Sequence, residues 1–193
     1  MKKKIILVAL VAICVAILAS ETLAYFTSEA EVHNVITSDA VDIQVDEWQK
    51  TDAGIVPYPD EKPTVMPGTV LSKIPTVKNL EAEAYIRARF DVEFTLKNVP
   101  EGQAPEIPED IITVNIDTTK WVRKDGDSDW WYYVDPVATG ESTAPLFTEV
   151  TFAGEAMDNL YQNADIAVNV YAQAVQTANN GASALEAAGW SES

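Results

Sequence analysis

Cysteine and histidine are almost absent from this chain. One cysteine, Cys14, and one histidine, His33, occur in 193 residues. A zinc site built from several histidines and a framework of disulfides are therefore excluded. Basic residues are also scarce, with 13 Lys and Arg against 30 Asp and Glu and a formal net charge of -17. This balance argues against a nucleic-acid-binding protein, because such proteins neutralise phosphates with clustered Lys and Arg.

The common catalytic motifs are missing as well. The sequence contains no His-Glu-x-x-His, no Gly-x-Ser-x-Gly and no glycine-rich phosphate loop. We expect His33 to be a solvent-facing strand residue, with a catalytic imidazole as the alternative. Carboxylate pairs are numerous on so acidic a chain, so a pair does not by itself indicate a glycosidase. The residues therefore predict a protein that is not an enzyme.

The N-terminus has the pattern of an export signal. Lys2 to Lys4 precede an uninterrupted apolar run over 5–19, and Thr22-Leu23-Ala24 supplies a small-residue cleavage site. The run is shorter than the roughly 20 residues of a membrane-spanning helix. We predict a helical signal peptide over 1–24, cleaved between Ala24 and Tyr25, and a secreted single domain over 25–193. An uncleaved anchor is the alternative, and membrane contact is otherwise expected only before cleavage.

Alternation of apolar and polar residues dominates the remaining sequence. From Ala84 to Phe94 every even position is apolar, which predicts a half-buried antiparallel strand. Similar short runs, separated by turn residues such as Lys124-Asp125-Gly126-Asp127, predict seven to nine strands. The fold class is therefore all-β, an antiparallel β-sandwich with jelly-roll or immunoglobulin-like wiring. A short C-terminal helix is predicted over 182–190, with Ser183 as its N-cap.

Two features of residues 125–133 are candidate binding sites. Asp125, Asp127 and Asp129 resemble the start of a calcium loop, but the expected glycine and the bidentate glutamate are missing. A polar hairpin tip is the alternative interpretation, and calcium is the one cofactor that the sequence leaves open. The aromatic run Trp130 to Tyr133 indicates either a sugar-binding face or core and cross-strand packing, of which packing is favoured.

The segment 25–36 is the sharpest feature of the chain. Phe26, Ala30, Val32 and Ile36 lie on one side of an alternating pattern that becomes a free end after cleavage. Such a segment can complete the sheet edge of another subunit through main-chain hydrogen bonds. It can equally be the first strand of its own domain. The two interpretations are compatible if the strand is exchanged between copies, because a head-to-tail exchange that does not close produces a filament.

Short motifs in order along the chain resemble one family. They are Thr22-Leu23-Ala24-Tyr25-Phe26-Thr27, Asn34-Val35-Ile36-Thr37, Val41-Asp42-Ile43, Pro67-Gly68-Thr69-Val70-Leu71-Ser72-Lys73 through Val77-Lys78-Asn79, Ala84-Tyr85-Ile86-Arg87, Trp131-Tyr132-Tyr133, Gly140-Glu141-Ser142-Thr143-Ala144-Pro145-Leu146-Phe147 and Ala172-Gln173-Ala174-Val175-Gln176. The ordered set is similar to SipW-dependent exported proteins, the TasA / camelysin (CalY) group, with BsaA-type biofilm matrix proteins close by.

The resemblance implies a secreted jelly-roll subunit of surface or biofilm-matrix fibres on the cell surface or in the extracellular matrix. The implied partners are further copies in a head-to-tail homopolymer, a signal peptidase of the SipW type and other matrix proteins. The mature N-terminus, Tyr25 to about Ile36, would act as the donor strand in donor-strand exchange. BsaA-like members imply Lys–Asn isopeptide bonds, for which Lys73 and Asn79 lie in the matching stretch.

Two other functions stay open. A camelysin-like secreted metallopeptidase would use carboxylates and His33, although this sequence has no recognisable zinc pattern. A surface module would bind calcium or sugars through the Asp125 loop and the Trp130 to Tyr133 face.

Overall fold

The computed structural model describes residues 27–31, 34–36, 41–59, 66–97, 99, 106–127, 129–154, 157, 161 and 164–191, the first two ranges by their backbone alone. These ranges contain strands, turns, the short 3-10 segment Glu109–Ile111 and a 3-10 residue at Tyr161, and no α-helix. The strands, in chain order, are β1 (Thr27–Glu31), β2 (Asn34–Ile36), β3 (Ile43–Thr51), β4 (Gly54–Pro57), β5 (Val70–Ser72), β6 (Ile74–Asn79), β7 (Ala84–Thr95), β8 (Ile112–Val114), β9 (Trp121–Arg123), β10 (Trp131–Tyr133), β11 (Glu149–Phe152) and β12 (Asp165–Gln176).

Six strands form the larger sheet, in the order β2-β1-β12-β7-β10-β9. Its centre is the pair β7–β12, whose twelve residues each are matched from Asp165 opposite Thr95 to Gln176 opposite Ala84. Both strands alternate small or branched apolar residues with polar ones, which is the pattern of a pleated strand with one face in a core. All pairings in this sheet are antiparallel, which confirms the all-β, antiparallel prediction.

Two three-stranded sheets, β4-β3-β6 and β5-β11-β8, make the opposite layer. They are connected because β6 follows β5 after one residue and pairs with the segment that leads into β11. The Thr143 amide donates to the Val77 carbonyl at 2.9 Å, and the Leu146 amide donates to the Pro75 carbonyl at 3.0 Å. The Lys73 amide donates to the Thr148 carbonyl at 3.1 Å, at the point where β5 passes into β6.

The core lies between these two layers. From the six-stranded sheet it takes the even-numbered residues over 84–94 of β7 and over 166–174 of β12, and from the opposite layer it takes Ile43, Val77 and Val150. Trp121 is fully buried there, and its indole nitrogen donates to the carbonyls of Ala144 and Pro145. An indole with a satisfied N–H is the form in which a tryptophan suits a core.

A second cluster covers the outer face of the same sheet. Residues 179–191, which we call the C-terminal strap, fold back so that Ala184, Ala187 and Trp190 pack on the outer side of β7, β10 and β12. The prediction that β7 is half-buried is therefore wrong for residues 84–88, which are buried on both faces.

The helix predicted over 182–190 is not formed. The Ser183 carbonyl accepts from the amides of Glu186 and Ala187, which closes a single turn. Gly189 then takes a positive φ of 86°, a conformation that does not continue a helix. The hairpin predicted at 124–127 is present between β9 and β10, with Gly126 at a φ of +83°.

Candidate self-assembly interface

The N-terminal strand lies on β12 of its own chain. Its backbone is antiparallel to β12, from Thr27 opposite Val175 to Glu31 opposite Tyr171, with Ala30 opposite Ala172. Strand β2 then folds back on β1 and places Ile36 opposite Glu29. This pairing matches the interpretation of 25–36 as the first strand of its own domain, and it identifies β12 as the strand whose edge the segment completes.

Several of the residues predicted for this interface lie outside the described residues. They are Phe26, Val32, the cleavage pair Ala24 and Tyr25, and His33. Ala30 and Ile36 are in β1 and β2, as a strand assignment requires. The signal peptide over 1–24 also lies outside the described residues.

On the side of β12 that faces the core, the acceptor surface is shallow. Ala172 and Ala174 are fully buried there, and Ala88 of β7 continues the row from Ala172. Small side chains leave no deep pocket beside them, so main-chain hydrogen bonds are the main attachment that this edge offers to an incoming strand.

An arginine cluster occupies the outer side of the same strands. Arg87 is 7% exposed, and its guanidinium donates to the Gln173 side-chain oxygen from Nε at 3.0 Å and from Nη2 at 2.7 Å. It also donates to the Tyr132 hydroxyl at 3.1 Å and to the Ser191 carbonyl of the C-terminal strap at 2.9 Å. These hydrogen bonds satisfy a charge that would otherwise be expensive to bury.

Aromatic rings complete the arginine cluster. The guanidinium carbon of Arg87 lies 4.2 Å from the ring centre of Trp130 and 4.9 Å from that of Trp190. Trp190 also packs edge-on against Tyr132, with 5.7 Å between ring centres. Cation–π contacts of this kind are strongest when the cation is desolvated, as it is here. The sequence analysis missed this cluster because an arginine at a polar position of an alternating strand is expected to face solvent.

The three aspartates of the calcium hypothesis do not converge. Asp127 accepts from the amides of Asp129 and Trp130 through Oδ1 and from the Tyr132 hydroxyl through Oδ2 at 2.7 Å. Its carboxylate therefore closes the turn before β10. Burial acts to raise the pKa of Asp127, but the hydrogen bonds from Tyr132, Trp130 and Asp129 and the charge of Arg87 outweigh it and leave the pKa below its ordinary value. Across the described ranges, no three acidic, histidine or cysteine side chains gather as a metal site would require.

The aromatic run is used for packing. Trp130, Tyr132 and Tyr133 are buried, and Trp131 is half-buried with Arg123 stacked on it at 4.4 Å. Tyr133 lies in the core against Trp121, whereas Tyr132 and Trp130 lie on the outer face. A sugar-binding face needs exposed rings, so this arrangement favours the packing interpretation.

Lys73 and Asn79 have separate partners. The Lys73 ammonium contacts Glu47 Oε2 at 2.5 Å and lies 4.5 Å from the ring centre of Tyr58. The Asn79 side-chain amide donates to the carbonyls of Ala82 and Val137, each at 2.8 Å. Burial, and then the charge of Glu47, raise the pKa of Tyr58, which keeps its phenol neutral beside this ion pair.

One cleft in the described structure has an apolar lining. It has a volume of about 310 Å³ and is lined by Val92, Phe94, Ile107, Pro108 and Ile112. None of these lining side chains titrates or acts as a nucleophile, so the cleft offers no catalytic group. Within the described residues, no helix has the length and apolar character needed to span a membrane.

Comparisons of the chain with protein-family models, with curated proteins and with solved structures found no match. The resemblance to the TasA / camelysin group therefore rests on the sequence motifs quoted above.

Proposed function

We propose that this chain is the secreted structural subunit of an extracellular surface or biofilm-matrix fibre. In this proposal a signal peptidase of the SipW type removes residues 1–24. The freed segment 25–36 then leaves its own sheet and completes the β12 edge of a second copy. Repetition of this exchange in one direction builds a head-to-tail homopolymer, to which other matrix proteins can attach. We also propose that the strands of this β-sandwich are connected as in a jelly roll.

The observation that carries the proposal is the position of β1 in the sheet. The strand joins the domain beside β12 and has only β2 on its other side. The whole of β1–β2 precedes β3 in the chain, so the hairpin can move to another copy without changing the order of the remaining strands. An identical pairing with a second copy would replace each lost main-chain hydrogen bond, which is the condition for strand exchange at low cost.

Two further features support a structural role. Arg87 and the aromatic side chains Trp130 and Tyr132 beside it are buried in packing. The acidic composition also suits a solvated protein outside the cell.

The deciding experiment compares the protein that begins at Tyr25 with the protein that begins at Thr37. The longer chain is expected to form filaments visible by electron microscopy, and the shorter chain is expected to stay monomeric in sedimentation velocity. A synthetic peptide of residues 25–36 should bind the shorter chain and cap it. Filaments of normal length from the shorter chain would refute the proposal, as would a longer chain that stays monomeric at high concentration.

A point substitution separates strand donation from general loss of the segment. Ala30→Asp places a charge in the row of the fully buried Ala172 and should block assembly, because an unpaired charge is costly to bury. Ser28→Ala is the matched control in the neighbouring inward row and should assemble normally. Equal filament yields from the two variants would contradict the pairing of β1 with β12.

A further inference from the structure

The pairing of β1 with β12 poses a problem of register. A strand that slips by two residues keeps the same residues on each face, so alternation alone does not exclude the slip. The core-facing positions of β12 are the small residues Ala172 and Ala174, and the opposing positions of β1 are Ala30 and Ser28. Steric fit therefore distinguishes poorly between the native register and its two-residue slips.

The rows that cross the sheet on its other face carry charge. The row of Glu29 continues through Gln173 to Arg87, and the row of Glu31 continues through Tyr171 to Arg89. The next row beyond Arg89 holds Asn169 and Asp91. The row on the other side of Arg87 is apolar and holds Val175 and Tyr85, both of which are buried.

The two arginines have only long contacts with the described carboxylates. Among the side chains that the structure describes, the nearest carboxylate oxygen to Arg87 is Asp127 Oδ2 at 4.0 Å, and the nearest to Arg89 is Asp91 Oδ2 at 3.9 Å. The Arg89 Nε is buried without a hydrogen-bond partner among the described residues. Because neighbouring strands are about 4.8 Å apart, β1 lies about 10 Å from β7. This separation is about one Debye length at 0.1 M salt and slightly more than the Debye length of about 8 Å at physiological salt, so the charge effect should be largest at low salt.

We propose that Arg87 and Arg89 of β7 are the register determinant that makes the β12 edge accept the strand Thr27–Glu31 of a second copy in one alignment. A slip that moves Glu31 opposite Asn169 brings it into the row of Asp91, where like charges repel. The opposite slip moves Glu29 opposite Val175, into a row without a cation. Only the native alignment places both glutamates in arginine rows, so the charges remove the ambiguity that alternation leaves. The partner in this inference rests on the proposed function.

Cysteine pairs measure the register directly. Cys14 is the one cysteine of the chain, so Cys14→Ser gives a cysteine-free background for introduced pairs. The full chain with this substitution is exported from a suitable host, and sequencing of its N-terminus shows where it was cleaved. Ala30→Cys with Ala172→Cys reports the native register, and Ala30→Cys with Val170→Cys reports the slip toward Asp91. A short thiol-reactive crosslinker captures each pair, and denaturing gels show whether the link joins one chain or two.

Charge reversal then tests the determinant. Glu31→Arg should lower the yield of the 30–172 link by about threefold and raise the 30–170 link, because the new arginine matches the row of Asp91. Adding Arg89→Glu should restore the 30–172 link. Glu31→Gln should give an intermediate result, and Glu141→Arg, on an exposed turn outside this sheet, should leave both yields unchanged.

The outcomes separate this inference from the proposed function. Unchanged 30–172 and 30–170 yields in Glu31→Arg would overturn the inference, even if links between chains form a normal ladder. If the yields follow the charges but every link stays within one chain, the proposed polymer is wrong. Arg87 and Arg89 would then set the register of the chain's own β1 strand. Arg89 is on the partly exposed part of β7, and urea unfolding checks that Arg89→Glu is folded; if it is not, the single Glu31 variants decide.

Discussion

The two ends of the described chain both lie against β12, but they are attached to it in different ways. At the N-terminal end, β1 joins β12 through a five-residue ladder beside small residues. At the C-terminal end, the strap is held by side chains, because Arg87 donates to the Ser191 carbonyl and packs against Trp190. A ladder of main-chain hydrogen bonds can be reproduced by any copy of the same strand. A lock of specific side chains ties the strap to its own domain.

Asn180 strengthens the lock at the start of the strap. Its side-chain amide donates to the carbonyls of Gln176 and Ala188, and its oxygen accepts from the Ala188 amide at 2.9 Å. The Tyr85 hydroxyl adds a bond to the Gly181 carbonyl at 3.2 Å. A Cβ on Gly181 would approach the Glu186 carbonyl carbon to 2.7 Å, so the strap closes too tightly there for any other residue.

The largest loss of stability is expected from removing Arg87, the side chain that holds the C-terminal strap on the sheet. Arg87→Ala removes the hydrogen bonds that the guanidinium donates to Gln173, Tyr132 and Ser191 and opens a cavity between two tryptophans, which should lower the free energy of unfolding by about 3 kcal/mol. Arg87→Lys should recover only part of this, because lysine lacks the planar fork that contacts Gln173 twice. Urea unfolding measures the loss. Arg89→Ala is the matched control, and an equal loss there would mean that Arg87 has no special role.

The second prediction concerns the opening of the two ends. Amide hydrogen exchange of β1 should be faster than that of the central β7–β12 ladder on the order of 100-fold, because a peripheral strand opens without global unfolding. The amides of Glu186 and Ala187 in the strap should lie between the two. Exchange measured by mass spectrometry or NMR tests this order. Equal protection of β1 and β7 would show that the N-terminal strand is as fixed as the core.

The third prediction tests Asn180. Asn180→Ala removes three hydrogen bonds at a buried position and should cost about 2 kcal/mol of unfolding free energy. Asn179→Gly, one residue earlier, is the control, because Asn179 has a φ of 56° that glycine adopts without strain. Thermal and urea unfolding of the two variants should differ clearly. A destabilised Asn179→Gly variant would point to the turn itself rather than to the side-chain lock.

The smallest expected effect is the change in the free energy of unfolding at low pH. The pKa of Asp127 lies below its ordinary value in the folded protein, so the unfolded chain binds the proton first as the pH falls. The stabilisation from Asp127 is complete above its unfolded pKa near 4 and is lost as the pH falls through the lower folded pKa. Asp127→Asn should show a shallower loss of stability below about pH 4, by less than about 1 kcal/mol. Parallel unfolding curves of both proteins from pH 6 to pH 2 would contradict this.

Much of the strand content was predictable because its signal is local. Alternation over residues 84–94 predicts β7, and the turn residues at 124–127 predict the hairpin between β9 and β10. The aspartates of that hairpin were harder to interpret, because a turn-closing carboxylate and a calcium ligand have the same sequence pattern. Only the hydrogen bonds of Asp127 distinguish the two.

The strap and the arginine cluster were beyond sequence reasoning. The alternation that predicts β7 assigns Arg87 to solvent, and the small apolar residues of 182–190 favour a helix. Contact with the sheet overrides both tendencies. The packing of Trp190 on Arg87 and Tyr132 stabilises the strap more than a helical turn of low intrinsic stability would.

By itself, the sequence determined that the chain is an antiparallel β-protein, because each strand separately shows the two-residue alternation of apolar and polar side chains. The tertiary structure decided which polar faces are covered and where the N-terminal strand pairs. The contact between Arg87 and Ser191 spans 104 residues. No local pattern encodes such a contact, because it exists only after the sheet has formed and the chain has returned across it.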